Sequence, residues 1–289
     1  MPPIPDADDA VSFYEANGWY ITDRILPADL IARARDLVER IDYAERDGEI
    51  PARLKRLLAW QPGSPRSPWL NQYIALQYRV LADVSHHPAL GEIAAKLSRS
   101  TEIRIFNTAL IVKKPGLAQQ YGRVGWHCDK AYWPTCSSER MLTAWVPLRD
   151  TSVEMGTLSV LSGSHRWPDR PDIAELRQAK TFTHPDHEEL TARLRGHGAR
   201  YEPVPIVLRA GQVSFHHCLT FHGSAPNVGS VPRSAISVHL QDDANLYRAA
   251  RGSDGEPSSY VHDSFVRRRP TGEPDYRDPE ICPLIWPGK

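Results

Sequence analysis

The chain has 289 residues, 41% of them hydrophobic and 24% charged, which is the balance of an ordinary globular protein. Lys plus Arg and Asp plus Glu number 35 each, so the formal charge is zero and no pull toward nucleic acid or an anionic membrane is expected. No apolar run approaches the ~20 residues of a membrane helix. The opening residues lack the basic start and apolar core of a signal peptide. Four scattered cysteines, Cys128, Cys136, Cys218 and Cys282, without a CxxC pair fit a reducing cytoplasm better than a disulfide scaffold.

Residues 1–100 are predicted to be mainly helical. A short helix over Asp9 to Asn17 stops at Gly18, and Trp19 to Ile21 forms a brief strand. From Pro27 to Ala44, Leu30, Ala34, Leu37, Val38 and Ile41 recur at the spacing of one buried helical face. Pro88 to Leu97 repeats the pattern with Leu90, Ile93, Ala94 and Leu97.

Beyond residue 100 the texture becomes β-rich. Strands are expected at Ile103 to Lys113, Arg140 to Leu148, Thr157 to Leu161, Val204 to Leu208, Gln212 to His217 and Arg233 to Gln241, most of them separated by Pro or Gly. Short strands at this spacing predict a sandwich or barrel with helices against one face. Residues 163–202 read as a polar insertion between strands. Its His184, Asp186, His187, Glu188 and Glu189 are either a sugar-facing set or, as charge runs usually are, a solvated surface helix. Residues 245–289 form an irregular tail. One domain is expected, with a core over 101–241.

Three stretches concentrate chemistry. In Gly125-Trp126-His127-Cys128-Asp129, an extended strand would point His127 and Asp129 the same way, so both could reach one metal. In Phe221-His222-Gly223-Ser224, closing a strand that begins at Gly211, His222 offers a third ligand. Two histidines and one carboxylate leave open positions on a metal, whereas the plain alternative for His222 is a satisfied core histidine. His216 shares a face with His222 by strand alternation and could support the ligands, while His217 points away. Arg233 then enters an apolar strand, where it needs an anion or an internal carboxylate partner. The hairpin of eleven residues after His222 is expected to return Arg233 beside the His222 strand.

His127-x-Asp129, His222-x-Ser224 and Arg233 together resemble the phytanoyl-CoA dioxygenase-like branch of the Fe(II)/2-oxoglutarate oxygenases. The block Met141 to Leu148, the Met155-Gly156-Thr157-Leu158 turn and Leu161-Ser162-Gly163-Ser164-His165 are similar to the family's central strands, and Asn17-Gly18-Trp19 is similar to its opening. The resemblance runs to about residue 241 and leaves the 166–202 insertion and the tail unexplained. It implies a double-stranded β-helix, the jelly-roll or cupin-like fold, mainly β with flanking helices. It also implies Fe(II) on His127, Asp129 and His222, with 2-oxoglutarate as co-substrate and O2 consumed. Arg233 would bind the distal carboxylate of 2-oxoglutarate and Ser224 would donate a hydroxyl. Trp145 matches a tryptophan of the co-substrate pocket, or is simply a core aromatic. Asn227 is expected to fix its turn.

The same resemblance implies oxidation of an unactivated C–H bond of a small molecule, by hydroxylation, desaturation, epimerisation or ring closure. Related halogenases lack the carboxylate, so Asp129 argues against halogenation. Tyr132 and Trp133 follow the ligands directly and are candidates for the pocket mouth. A composition rich in Arg, Ala and Pro and poor in Lys fits a GC-rich bacterial genome, and there the resemblance implies an oxidative step in natural-product or antibiotic biosynthesis, with a glycoside or aminoglycoside as the expected substrate. Two rivals are weighed. A catalytically inactive jelly-roll would keep the residues for a structural metal or none. A zinc hydrolase would use the same donors, but no HExxH string is present and Arg233 would have no task.

Overall fold

The computed structural model describes residues 9–41, 46–54, 69–116, 122–168, 170–180, 187–196, 201–252 and 255–286. Its helices begin with α1 (Ala10–Asn17) and α2 (Ala28–Glu39). Then come α3 (Ile74–Gln77), α4 (Arg79–Ser85) and α5 (Pro88–Ser98). Gly18 ends α1 in the left-handed region, φ 75°, with its N–H on Tyr14 O, as a C-terminal glycine does at little cost. Helix α2 starts one residue after Pro27 and ends at Glu39, shorter than its apolar periodicity implied. It buries Leu30, Ile31, Ala34 and Val38 on one face.

Two sheets face each other. The large one runs β1 (Trp19–Ile21), β8 (Ser214–His217), β5 (Leu142–Pro147), β10 (Arg233–Asp242), β3 (Ile103–Lys113), β13 (Leu284–Trp286), with β2 (Trp69–Gln72) also on β3. The small one runs β4 (Val124–His127), β9 (His222–Ser224), β6 (Ser159–Leu161), β7 (Pro203–Pro205). Every pairing is antiparallel, and the arrangement is the jelly-roll, with helices on the outer face of the large sheet. A minor ribbon joins β11 (Ala250–Arg251) to β12 (Pro257–Ser258).

Alternation assigns the faces. In β10, Ile236, Val238 and Leu240 join the helical core, while Arg233, Ser237 and His239 line the space between the sheets. In β5, Leu142, Ala144 and Val146 go outward to that core, and Thr143 and Trp145 inward. The larger apolar residues on these faces would each contribute on the order of 2 kcal/mol of burial, so the strand register is strongly specified.

The 163–202 segment carries α6 (Pro171–Gln178) and α7 (His187–Gly196). Ile173, Leu176, Leu190 and Leu194 are buried against Trp126, Leu161 and Phe221, so these helices back the small sheet. His184 and Asp186 lie outside the described residues, as do the side chains of His187 and Glu188. The tail folds onto the core. Tyr276, Ile281 and Cys282 are buried with Phe106 and Trp133, Gln241 donates to Tyr276 O at 2.8 Å, and Arg53 bridges Asp278 and Glu280.

Candidate active site

The register of β4 against β9 sets His127 directly opposite His222, and their ring centroids are 4.2 Å apart. Asp129 is not on a strand: β4 stops at His127, and Asp129 opens a 3₁₀ turn, Asp129–Tyr132. The turn still brings its carboxylate back, with Oδ1 3.5 Å from His222 Nε2 and 4.0 Å from His127 Nε2. One ligand atom from each of the three lies within 4.8 Å of the others, and all three residues are buried. His127 Nδ1 donates to Gly125 O at 2.7 Å and His222 Nδ1 to Thr220 O at 2.9 Å. Those bonds place the protons on Nδ1 and leave both Nε2 lone pairs facing inward, the usual outer support of a metal-bound histidine.

His222 is also placed differently from the expectation of one strand from Gly211. The chain leaves the large sheet at His217 and re-enters the small sheet at His222, so β8 and β9 are separate. His216 and His222 do face one cavity, but from opposing sheets, with centroids 4.3 Å apart. The Arg233 hairpin does not return beside β9 either. β10 pairs with β3 and β5, and Arg233 reaches Ser224 across the cavity, Nη2 to Oγ 3.5 Å.

The outer oxygen of Asp129 meets a row of polar side chains. Cross-strand pairs run His216–Thr143, Thr143–His239 and His239–Asn107, a line across four strands of the large sheet. Thr143 Oγ1 donates to Asp129 Oδ2 at 2.5 Å and lies 2.8 Å from His239 Nδ1. His216 Nε2 is 3.4 Å from Asp129 Oδ2. Burial alone would push the Asp129 carboxyl up. The imidazoles of His222, His216 and His239 outweigh it and hold the group well below the usual carboxylate range. Burial lowers His127 and takes His222 well below its ordinary value, so both are neutral near pH 7, the form that ligates.

Arg233 is 2% exposed and, among the described residues, has no carboxylate partner and no partner for Nε or Nη1. Nη2 donates to Gly156 O at 3.1 Å, and the guanidinium lies over the Trp145 ring at 5.5 Å. Two orphaned donors on one planar fork are the complement of a carboxylate. Burial lowers its pKa to about 10, so it stays cationic at neutral pH. Gly156 sits at φ +64°, and a Cβ there would fall 2.2 Å from Ala225 O, which is why the turn that presents this carbonyl takes glycine. Lys113, paired with Arg233 in register, is fully buried and donates to Ser224 O at 3.0 Å and Ala225 O. Burial, with Arg233 and Arg123 nearby, holds its ammonium well below the usual lysine value. Asn227 secures its turn through Lys113 O, Val231 O and Gly229 N.

The three candidate ligands, the polar row and Arg233 with Trp145 and Ser224 open on one cavity of about 290 Å³. Tyr132 and Trp133 line it, Tyr132 edge-on to the His127 ring and Trp133 buried against Phe106 and His239. Sequence reading missed Thr143, His239 and Asn107, although Thr143 is two residues before Trp145 and His239 keeps the parity of Arg233. It also missed Gln72 and Tyr260, which reach the cavity from β2 and from the tail.

Two neutral imidazoles and one carboxylate would fill half of an octahedral ion, and the guanidinium fork of Arg233 stands in the same cavity. Within a jelly-roll, that pairing defines a non-haem iron oxygenase that takes a 2-oxo acid as co-substrate. Residues 14–235 match the phytanoyl-CoA dioxygenase (PhyH) family. The chain belongs to that family and is a 2-oxoglutarate-dependent dioxygenase whose cofactors are iron and 2-oxoglutarate. It is 26% identical over 251 residues to peroxisomal phytanoyl-CoA dioxygenase of Rattus norvegicus, covering 84% of this chain and 71% of that one. Among solved structures it is similar to a non-heme α-ketoglutarate-dependent carbocyclase from nogalamycin biosynthesis, with TM-score 0.69, 24% identity and 96% of each chain covered. It is also similar to the S. alaskensis protein solved with 2-oxoglutarate and 5-hydroxyectoine, with TM-score 0.66, 22% identity, and 95% of this chain and 86% of that one covered. Among the described residues no helix is long and apolar enough to cross a membrane.

Proposed function

We propose that this enzyme oxidises an unactivated C–H bond of an uncharged small molecule in bacterial natural-product metabolism, acting in the cytoplasm. His127, Asp129 and His222 hold the iron, Arg233 takes the distal carboxylate of 2-oxoglutarate through Nε and Nη1, and Ser224 and Trp145 complete that pocket. Iron with 2-oxoglutarate and O2 supplies the oxidising power. The protein orients the substrate and shields the reaction from water. The observation that carries the reading is the buried guanidinium with two free donors beside the His–Asp–His cluster.

Of the two substrate classes expected from the family resemblance, a glycoside fits better than an aminoglycoside. The only carboxylate among the described residues of the cavity is Asp129, already engaged by Thr143 and its histidines. An ammonium group would find no counter-ion there. Four free, buried cysteines agree with a reducing compartment.

The test is anaerobic absorption spectroscopy of the metal-free chain given Fe(II) and 2-oxoglutarate. A visible metal-to-ligand charge-transfer band is expected, abolished in His127→Ala and weakened in Arg233→Ala. Iron binding with no band would refute the co-substrate assignment.

A further inference from the structure

The cavity is also lined by polar side chains outside the iron and co-substrate groups, and the hydrogen bonds of two of them, His239 and Tyr260, have a fixed sense. Thr143 carries one hydroxyl proton, and it donates that proton to Asp129 Oδ2, which can only accept. The contact of 2.8 Å between Thr143 Oγ1 and His239 Nδ1 therefore has His239 as donor. With its proton on Nδ1, His239 presents Nε2 as a bare acceptor, and this nitrogen has no protein partner among the described residues.

Next along the same cross-strand row, Asn107 Nδ2 donates to Tyr260 Oη at 3.3 Å. Asn107 Oδ1 is already occupied by Thr108 N at 2.6 Å. The Tyr260 hydroxyl thus accepts from Asn107 and keeps its own proton for a ligand. Its ring is held by stacking on Phe106, centroids 5.9 Å apart and interplanar angle 19°. Tyr260 lies in the tail, beyond the residues that match the family.

One fixed acceptor and one fixed donor on a cavity wall complement a group that donates and accepts at once, and an alcohol or phenol is the simplest such group. The body of such a molecule would lie against the aromatic walls of Tyr132 and Trp133. No charged side chain among the described lining residues is free of the iron and co-substrate sites. We infer that His239 and Tyr260 form the recognition pair for a hydroxyl group of an uncharged substrate, Tyr260 donating to it and His239 Nε2 accepting from it. The inference rests on the oxygenase reading above and adds the chemistry of the substrate.

The test uses the full chain loaded anaerobically with Fe(II) and 2-oxoglutarate, its visible band first confirming that state. Benzyl alcohol, toluene and benzylammonium, matched in size, are titrated with tryptophan fluorescence as readout, since Trp133 and Trp145 line the cavity. Benzyl alcohol is expected to bind about fivefold or more tightly than either of the others, the usual worth of a neutral hydrogen bond. Tyr260→Phe should reduce it to the level of toluene while leaving the visible band and the toluene affinity unchanged. Asn107→Leu, which removes the amide donor that orients the Tyr260 hydroxyl, should weaken benzyl alcohol with the same selectivity. Preference for benzylammonium, equal or absent affinity for alcohol and toluene, or an alcohol preference that survives Tyr260→Phe would overturn the pair. A missing visible band in the unmodified chain would instead refute the oxygenase reading.

Discussion

Replacing Arg233 by Met should move two quantities in opposite directions. Methionine keeps most of the side-chain volume over Trp145 and removes the charge. In the chain without co-substrate, Arg233 is a buried cation whose Nε and Nη1 have no partner and whose nearest charged neighbours include Lys113. Removing such a charge is neutral or stabilising by up to about 4 kcal/mol, so the thermal midpoint of the apo chain should hold or rise. For 2-oxoglutarate the sign reverses, because breaking a buried, charge-paired bidentate contact costs about 3–5 kcal/mol. At 1.4 kcal/mol per tenfold, that weakens binding by about 100- to 4,000-fold. Isothermal titration of 2-oxoglutarate into anaerobic Fe(II) protein gives the second quantity and melting of the apo chain the first. Affinity within tenfold of the unmodified chain, or an apo chain destabilised by more than about 2 kcal/mol, would show that Arg233 is a structural residue with a native partner.

Thr143→Val, nearly isosteric, removes the donor to Asp129 Oδ2. Metal affinity, read by anaerobic Co(II) titration, should fall about 10- to 100-fold with the fold intact, and an unchanged affinity would mean the turn alone aims the carboxylate. Gly156→Ala forces a Cβ against Ala225 O at φ +64°. It should cost about 1–3 kcal/mol in urea denaturation and weaken 2-oxoglutarate binding as well, because the carbonyl that steadies Arg233 moves. Acidification is a further test. Burial takes His217 and His262 from 6.5 to about 3 and His239 to about 4. Above pH 6.5 these three are neutral whether folded or unfolded, and their contribution is complete. Between 6.5 and 4 the unfolded chain binds protons that the folded chain does not, so stability falls as pH falls, by up to about 4 kcal/mol per pH unit near pH 5. Urea midpoints of the metal-free chain that stay flat from pH 7 to 5 would contradict the burial of these rings.

The parts legible in the sequence were those written as local strings. The three ligands, the arginine and the glycine turn each sit in a short motif whose residue types the chemistry demands. The Asn17-Gly18-Trp19 opening and the Ser162-Gly163-Ser164-His165 turn were also visible, and they meet. Gly163 N bonds Asn17 O at 2.7 Å, and Ser162 Oγ donates to Asn17 Oδ1 at 2.8 Å. What stayed hidden depends on which sheet a strand joins. The apolar and polar alternation of β8 and β10 gave the inward faces, but it carries no information on partners, so His216 and Arg233 were put beside His222 rather than across from it. Asn107 was obscured by a bulge, where Phe106 is extra between the pairs His239–Asn107 and Leu240–Ile105 and parity flips. Tyr260 had no signal at all, since a tail residue in an irregular run gains its role only from where the chain returns.

That late return has a consequence in time. His127, Asp129 and His222 are all in place on the nascent chain thirty-eight residues before Tyr260 is made. At elongation rates of roughly 5 to 20 residues per second this leaves an interval of about 2 to 8 s. During it a growing polypeptide carries all three ligand residues but not yet Tyr260 or the segment around Tyr276 that packs on the core. Because β10 is the strand between β5 and β3, a chain interrupted before residue 242 would lack the middle of the large sheet, whereas one interrupted between 242 and 260 would keep that strand and lack the part of the cavity wall that the tail supplies.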